Sequence, residues 1–376
     1  MLELESTTRG ALMPRMALPD AITWSLNGNL PVEGMMVYNT TATGGVNGLQ
    51  EGMAVWKNGR WISVDETPYF HVNSTLTGNS TLSNSGATGL NSTAAGPNAT
   101  ASGENSFAGG MGATTSTANA VAIGTNANAI NGGLVAIGTG AQSLAQNTIA
   151  IGGTASVRLG IAIGFASNSA GNGAVAIGDA TTSSAFSTVA LGQSAVATND
   201  YAISMGRLAS ASNLRATALG ANSAASGTAA TAVGSMASAS GNYSTATGSR
   251  VYMVNGVPRV DAYVPGVGFP SATTTTLDTQ ATGLLSAAYG SAAAATADRS
   301  LALGSLTTAS VDGAVALGSG SVSDRAIAGT QGTIPAGTNF VVPYNTTDRT
   351  LLGAVSVGNA TSYRQIINVA DGTQAQ

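Results

Sequence analysis

A short apolar string closed by glycine recurs along this chain at a step of about 14 residues, and no other feature constrains the fold as tightly. AVAIG ends at Gly124, LVAIG at Gly138, TIAIG at Gly152 and GIAIG at Gly164. The series runs on through Gly178, Gly192, Gly206, Gly220, Gly234 and Gly248, then resumes at Gly290, Gly304 and Gly318. One step, Gly152 to Gly164, is 12 residues, and weaker copies at Gly96 and Gly110 extend the phase toward the N-terminus. A fixed short period marks a repeat architecture in which each unit packs on its neighbours. Fourteen residues cannot hold a strand, a helix and two turns, but they fit two strands and two turns.

Within each repeat the alternation has period two, as a strand requires. Branched or long apolar residues stand one and three places before each glycine, as in Val121 and Ile123, or Val189 and Leu191. Alanine stands between them at Ala122, Ala136, Ala150, Ala162, Ala176 and Ala190. One face therefore carries large side chains and the other a row of alanines. Small residues after the glycine, such as Ala127 and Ala129 or Ala195 and Ala197, mark a second, shorter strand. Large residues pointing inward against these small ones fill a thin core, which leaves the alanine row facing outward. Coils stacked about 4.8 Å apart give a parallel β-roll, on the order of 70 Å long for about fifteen coils. An exposed apolar strip invites another chain, and alanine lets sheets approach closely. The expectation is a closed cyclic oligomer with Ala122, Ala136, Ala150, Ala176 and Ala190 at its interface; a monomeric solenoid with exposed alanines is the alternative.

These repeats resemble the head of trimeric autotransporter adhesins of the YadA-like type, which read close to N-S-V-A-I-G-x-x-S-x-A. The resemblance implies a left-handed roll and a homotrimer. The run DRTLLGAVSVGNATSYRQIINVADGT, Asp348 to Thr373, is similar to the neck that follows such heads. In that family the neck crosses from one subunit to the next, which makes Arg364, Gln365 and Asn368 further candidates for the trimer interface. At the other end, STTRG at 6–10, Pro14-Arg15-Met16, VYNT at 37–40 and Trp56 to Trp61 resemble a module common in phage tail fibres. Read from the residues, MMVYNT and MAVWKNGRWISV are strands, with a hairpin turn at Asn58-Gly59. All three tryptophans fall here, so this segment has a packed core of its own.

Composition removes several function classes. The 376 residues include no cysteine and one histidine, His71, so thiolate and multi-histidine metal sites are excluded and a Ser-His-Asp triad is not expected. No metal, cofactor or catalytic residue is assigned. Only 8% of residues are charged and the formal net charge is −4, which offers no footprint for nucleic acid. The mean hydropathy of +0.20 argues against disorder. The first residues lack a secretory signal, and no stretch reaches the ~18 apolar residues of a membrane helix, so no membrane insertion is expected. The acids Glu104, Asp179 and Asp200 are isolated, whereas glycoside cleavage needs a carboxylate pair.

The fold class is thus all-β: a parallel β-roll with an N-terminal β module and a C-terminal neck, assembled as a trimer. The segments are an attachment-like module at 1–66, a polar connector at 67–95, roll repeats at 96–248 and an insertion at 249–285. Further repeats occupy 286–325, and a second insertion with the neck occupies 326–376. The first insertion gathers Tyr252, Tyr263 and Phe269, candidates for receptor contact because loops on a rigid scaffold often carry binding and tyrosine combines contact area with a polar handle. A hairpin that braces the adjacent subunit is the competing reading. The expected function is adhesive: a virion fibre, of phage tail or head, whose partners are a virion attachment protein and a host-surface glycan or outer-membrane protein. The alternatives are the head and neck of a bacterial surface adhesin, and a polysaccharide-depolymerising fibre.

Overall fold

The computed structural model describes residues 10–26, 30–44, 48–64, 86–259, 274–326, 331–335, 341–345, 347 and 352–368. Every regular element among the described residues is a β-strand. The chain forms two compact units, Met1–Thr75 and Leu76–Gln376.

The first unit is a four-stranded sheet of β1 (Arg15–Met16), β2 (Met36–Asn39), β3 (Gly52–Lys57) and β4 (Arg60–Ser63), in that order. Asn58 and Gly59 close the β3–β4 hairpin with φ of 53° and 74°, the left-handed pair that a two-residue turn needs to match strand twist. Strand alternation turns Val37, Ala54, Trp56 and Trp61 to one face, where they pack with Leu18, Ala21 and Leu49. Trp24 stacks on Trp61 with ring centroids 5.4 Å apart, and Trp56 meets both edge-on. The buried Asn39 ties the chain around this core. It accepts from the Leu18 amide at 3.0 Å and donates to the Thr41 and Gln50 carbonyls.

The second unit is a two-sheet parallel roll. Among the described residues, one sheet has sixteen strands, three residues long except the last, and the other has fifteen strands of two residues. Equivalent repeat positions stack in register: Ala136 pairs with Ala122 and Ala150, and Asn128 with Thr114 and Gln142. The corner glycine is fixed twice over. Gly124 has φ of 126°, open in practice to glycine alone, and a Cβ there would lie 2.7 Å from the Gly138 carbonyl. In the 12-residue coil the strands keep register, with Ile149 opposite Ile161. The two missing residues come out of the corner, where Gly152-Gly153 spans what Gly124–Ala127 spans elsewhere.

The structure reverses the expected faces. Ala122, Ala136, Ala150, Ala176 and Ala190 are wholly buried inside the roll of a single chain, as are Ala127, Ala129, Ala195 and Ala197 of the short strands. The branched residues point outward: Ile123 is 43% exposed, and Ile151, Ile177, Leu303 and Leu317 are similarly open. These five alanines therefore cannot form an interface between chains. The reason is the cross-section. A loop of two short strands and two turns leaves room between its sheets for Cβ atoms and hydroxyls on both sides, and a Val or Ile on either inner face would overpack it. Buried hydroxyls pair within this space, as Ser143 Oγ does with Thr148 Oγ1 at 2.8 Å and Ser183 Oγ with Thr188 Oγ1 at 2.7 Å.

Candidate receptor-contact and assembly surfaces

Two excursions leave the roll, from opposite corners of a coil. The first departs after the three-residue strand Thr245–Thr247 and returns at Gln280–Ala281. A regular coil passes from Val233 to Ser238 in five steps, whereas here Thr247 to Gln280 takes 33, so 28 residues are inserted. The roll closes over the gap without loss of register, Ala246 pairing with Ala288 and Ala239 with Ala281. The inserted chain forms an antiparallel sheet of Val251–Val254, Val257–Arg259 and Thr274–Leu277, turned by Asn255-Gly256. At its base the guanidinium of Arg250 grips the carboxylate of Asp278 with two hydrogen bonds, Nη2 to Oδ2 at 2.8 Å and Nε to Oδ1. That pairing pushes the Arg250 pKa further up, the Asp278 hydrogen bond being the main cause. Arg250 and Asp278 thus fasten the two ends of the excursion together.

Tyr252 lies in the first strand of this sheet, half-buried and paired across to Thr276 and Arg259. Tyr263, Phe269 and His71 lie outside the described residues. The second excursion departs after the two-residue strand Val322–Ser323 and contains the hairpin Gln331–Pro335 with Val341–Asn345. It ends where Val355–Ser356 adds the sixteenth strand to the wide sheet, against Val315 and Ala316.

The segment after that strand folds back onto the last coil. Arg364 donates to the Ser321 hydroxyl and the Val357 carbonyl, each at 2.8 Å, and to the Ser319 carbonyl. Asn359 donates to the Gly320 carbonyl at 3.0 Å. A solenoid end exposes backbone groups that the next coil would have satisfied, and these side chains take over that duty. Arg364 therefore caps its own roll. Gln365 and Asn368 are exposed, and so are the apolar Tyr363, Ile366 and Ile367 beside them.

One of the isolated acids, Asp200, has a role that sequence reasoning missed, and it shares that role with Asp298 and Asn242. Asp200 accepts from the Phe186 amide at 3.0 Å, Asp298 from the Leu284 amide at 2.9 Å, and Asn242 from the Thr228 amide at 2.9 Å. In each pair the partners are 14 residues apart, so in these three coils a corner side chain stitches the coil before it. Recurrence of Asp or Asn eight places after the glycine was the signal available in the sequence. Among the described residues, no three His, Cys, Asp or Glu side chains gather as a metal cluster.

Residues 1–84 match the family described as a phage tail like trimerisation region. The YadA head domain repeat matches at 87–113, 135–155, 159–181, 183–209, 197–223, 225–250, 281–307 and 295–321. The chain carries YadA head repeats behind a phage-tail-like trimerisation region. A 56-residue stretch is 54% identical to the autotransporter adhesin EhaG of Escherichia coli O157:H7, covering 15% of this chain and 4% of that protein. The head repeats and the trimerisation region together support a homotrimer and an extracellular or cell-surface adhesive fibre.

Proposed function

We propose that this chain is a virion fibre, of phage tail or head, that attaches to a host cell surface as a trimer. The observation that carries the reading is the union of a phage-tail-like trimerisation region at 1–84 with YadA head repeats from 87 onward. The outward strip of Val, Ile and Leu on the wide sheet is the surface that three rolls bury against one another, since a continuous apolar row of this kind marks an interface. Gln365 and Asn368, with the exposed Tyr363, Ile366 and Ile367, extend that contact at the roll's C-terminal end. Arg364 supports it indirectly by holding the segment on the last coil. The first excursion, anchored by Arg250 and Asp278 and carrying Tyr252, meets a host glycan or outer-membrane protein. Three copies of a weak site raise avidity with no single strong contact. The adhesin-type matches favour a structural role without catalysis.

The identity with EhaG favours a second reading, in which the chain is the head portion of a bacterial surface adhesin. Cryo-electron microscopy of the particles or cells that carry the protein separates the two. Threefold fibres on a capsid or tail support the first reading, and fibres only on a bacterial envelope overturn it in favour of the second. Removing residues 251–277 tests the receptor assignment: trimers persist and binding to host cells falls at least tenfold. Undiminished binding would move the receptor site elsewhere.

A further inference from the structure

One coil of the roll is short, and the shortage falls entirely at one corner. The strands keep their spacing through it, with Ile137, Ile151 and Ile163 in register. The coil closed by Gly152 lacks the two corner residues that follow the glycine in its neighbours. Thr139-Gly140 and Phe165-Ala166 therefore flank a notch, two coil steps or about 10 Å apart along the stack, with Gly152 and Gly153 at its floor. The glycine stack loosens there as well. A Cβ on Gly138 would lie 3.3 Å from the Gly152 nitrogen, and one on Gly152 would lie 3.4 Å from the Gly164 carbonyl, against 2.7 Å at Gly124 and Gly178. The notch also interrupts a row of hydrogen bonds. In neighbouring coils the amide two places after the glycine donates to the carbonyl one place after the preceding glycine. Gly140 donates to Thr125, Ala180 to Phe165 and Ser194 to Asp179, each at 2.8 Å. The skipped corner leaves the Thr139 carbonyl and the Ala166 amide without a hydrogen-bond partner among the described residues. One wall thus offers an acceptor and the other a donor.

A second irregularity falls at the same place. Phe165 is 79% exposed and is the sole aromatic in the row directly after the corner glycines, which elsewhere holds residues such as Thr125, Gln193 and Ser235. We propose that this notch binds a neutral pyranose of a surface glycan, as a site on the roll itself that is separate from the first excursion and does not depend on it. A sugar hydroxyl both donates and accepts, so one or two linked units satisfy the Ala166 amide and the Thr139 carbonyl together. The C–H face of a pyranose is flat and apolar, and it covers an exposed aromatic ring such as Phe165. A concave place with an apolar wall and a few convergent polar groups is the form that small-ligand sites take. Charge narrows the class. Asp179, one coil beyond Phe165, is the nearest charged residue in that corner row, and its carboxylate repels sialic and uronic acids.

Repairing the short coil tests the site without weakening the fold. Inserting Thr-Asn between Gly152 and Gly153 gives this corner the Gly-Thr-Asn pattern of residues 124–126, fills the notch and restores the hydrogen-bond row. The full-length parent is applied to an array of neutral oligosaccharides ending in galactose or N-acetylglucosamine, set beside sialylated and sulfated ones. It is expected to bind neutral members. The insertion should lower that binding at least tenfold while the melting temperature holds or rises, so the loss is not one of folding. Phe165→Ser should lower it at least fivefold, and removal of residues 251–277 should leave it unchanged. Binding that survives the insertion, or that requires a negative charge on the sugar, overturns the notch, as does a parent that binds no neutral member. Loss on removing 251–277 with the insertion silent moves glycan binding to the excursion, so the two sites fail separately.

Discussion

The N-terminal module and the roll solve the same problem with opposite means. The module gathers three tryptophans, with Trp61 fully buried, and closes them under a four-stranded antiparallel-rich sheet. The roll buries hardly anything larger than threonine, and its cohesion lies in a backbone ladder repeated coil after coil. In the module a few side chains carry the core, so stability is concentrated. In the roll each coil depends on its neighbours, so stability is spread along the stack and every position is bound by the same narrow cross-section. The comparison also explains the chemistry at the surface. A core that holds only alanine and hydroxyls must leave its valines and isoleucines outside, and in the assembly we propose a second and third chain complete what a single roll cannot bury.

The sharpest test of that contrast sets the two faces of one strand against each other. Glutamate at Ala150, Ala176 and Ala190 together should abolish folding of the roll, since three buried charges exceed the roughly 5–15 kcal/mol that holds a domain. Circular dichroism reads the loss. Glutamate at Ile151 and Ile177, one residue along, should leave each roll folded and release monomers, measured by light scattering. If the alanine variant folds and only its trimer is lost, the assignment of inside and outside is wrong.

Trp61→Ala should cost about 3–5 kcal/mol, confined to the melting of the first unit. A matching drop in the roll's own transition would show that the two units do not carry separate cores. Next in size is Gly192→Ala, where φ is 122° and a Cβ would lie 2.7 Å from the Gly206 carbonyl. Its cost should clearly exceed that of Gly140→Ala, which has open space and φ of 70° and should lose about 1–2 kcal/mol for left-handed backbone alone. Equal effects in denaturant titrations would mean that the glycine stack is not close-packed. The smallest effect belongs to Arg250→Ala. A partly exposed ion pair contributes under about 1 kcal/mol, so the roll should melt almost unchanged while protease cuts within the excursion faster.

Much of this molecule was legible in its residues. The period of the glycines set the coil, the alternation set two faces, and the Asn58-Gly59 pair set a hairpin, because backbone conformation at each is governed locally. The tryptophans announced a separate core by their confinement to one segment. The first excursion was visible as a break in the period, although its anchoring by Arg250 and Asp278 joins residues 28 apart and needed the folded chain. Which face of the strand lies inside was not legible, for a physical reason. Period two separates two sets of side chains without ranking them, and the usual preference for burying the larger set fails when the enclosed space is narrower than those side chains. The same limit hid the work of Arg364, whose partners at Ser319 and Ser321 are more than forty residues away. Sequence thus determined the repeat, its turns and its two faces; the closed cross-section of the coil decided which face became core and which was left outside.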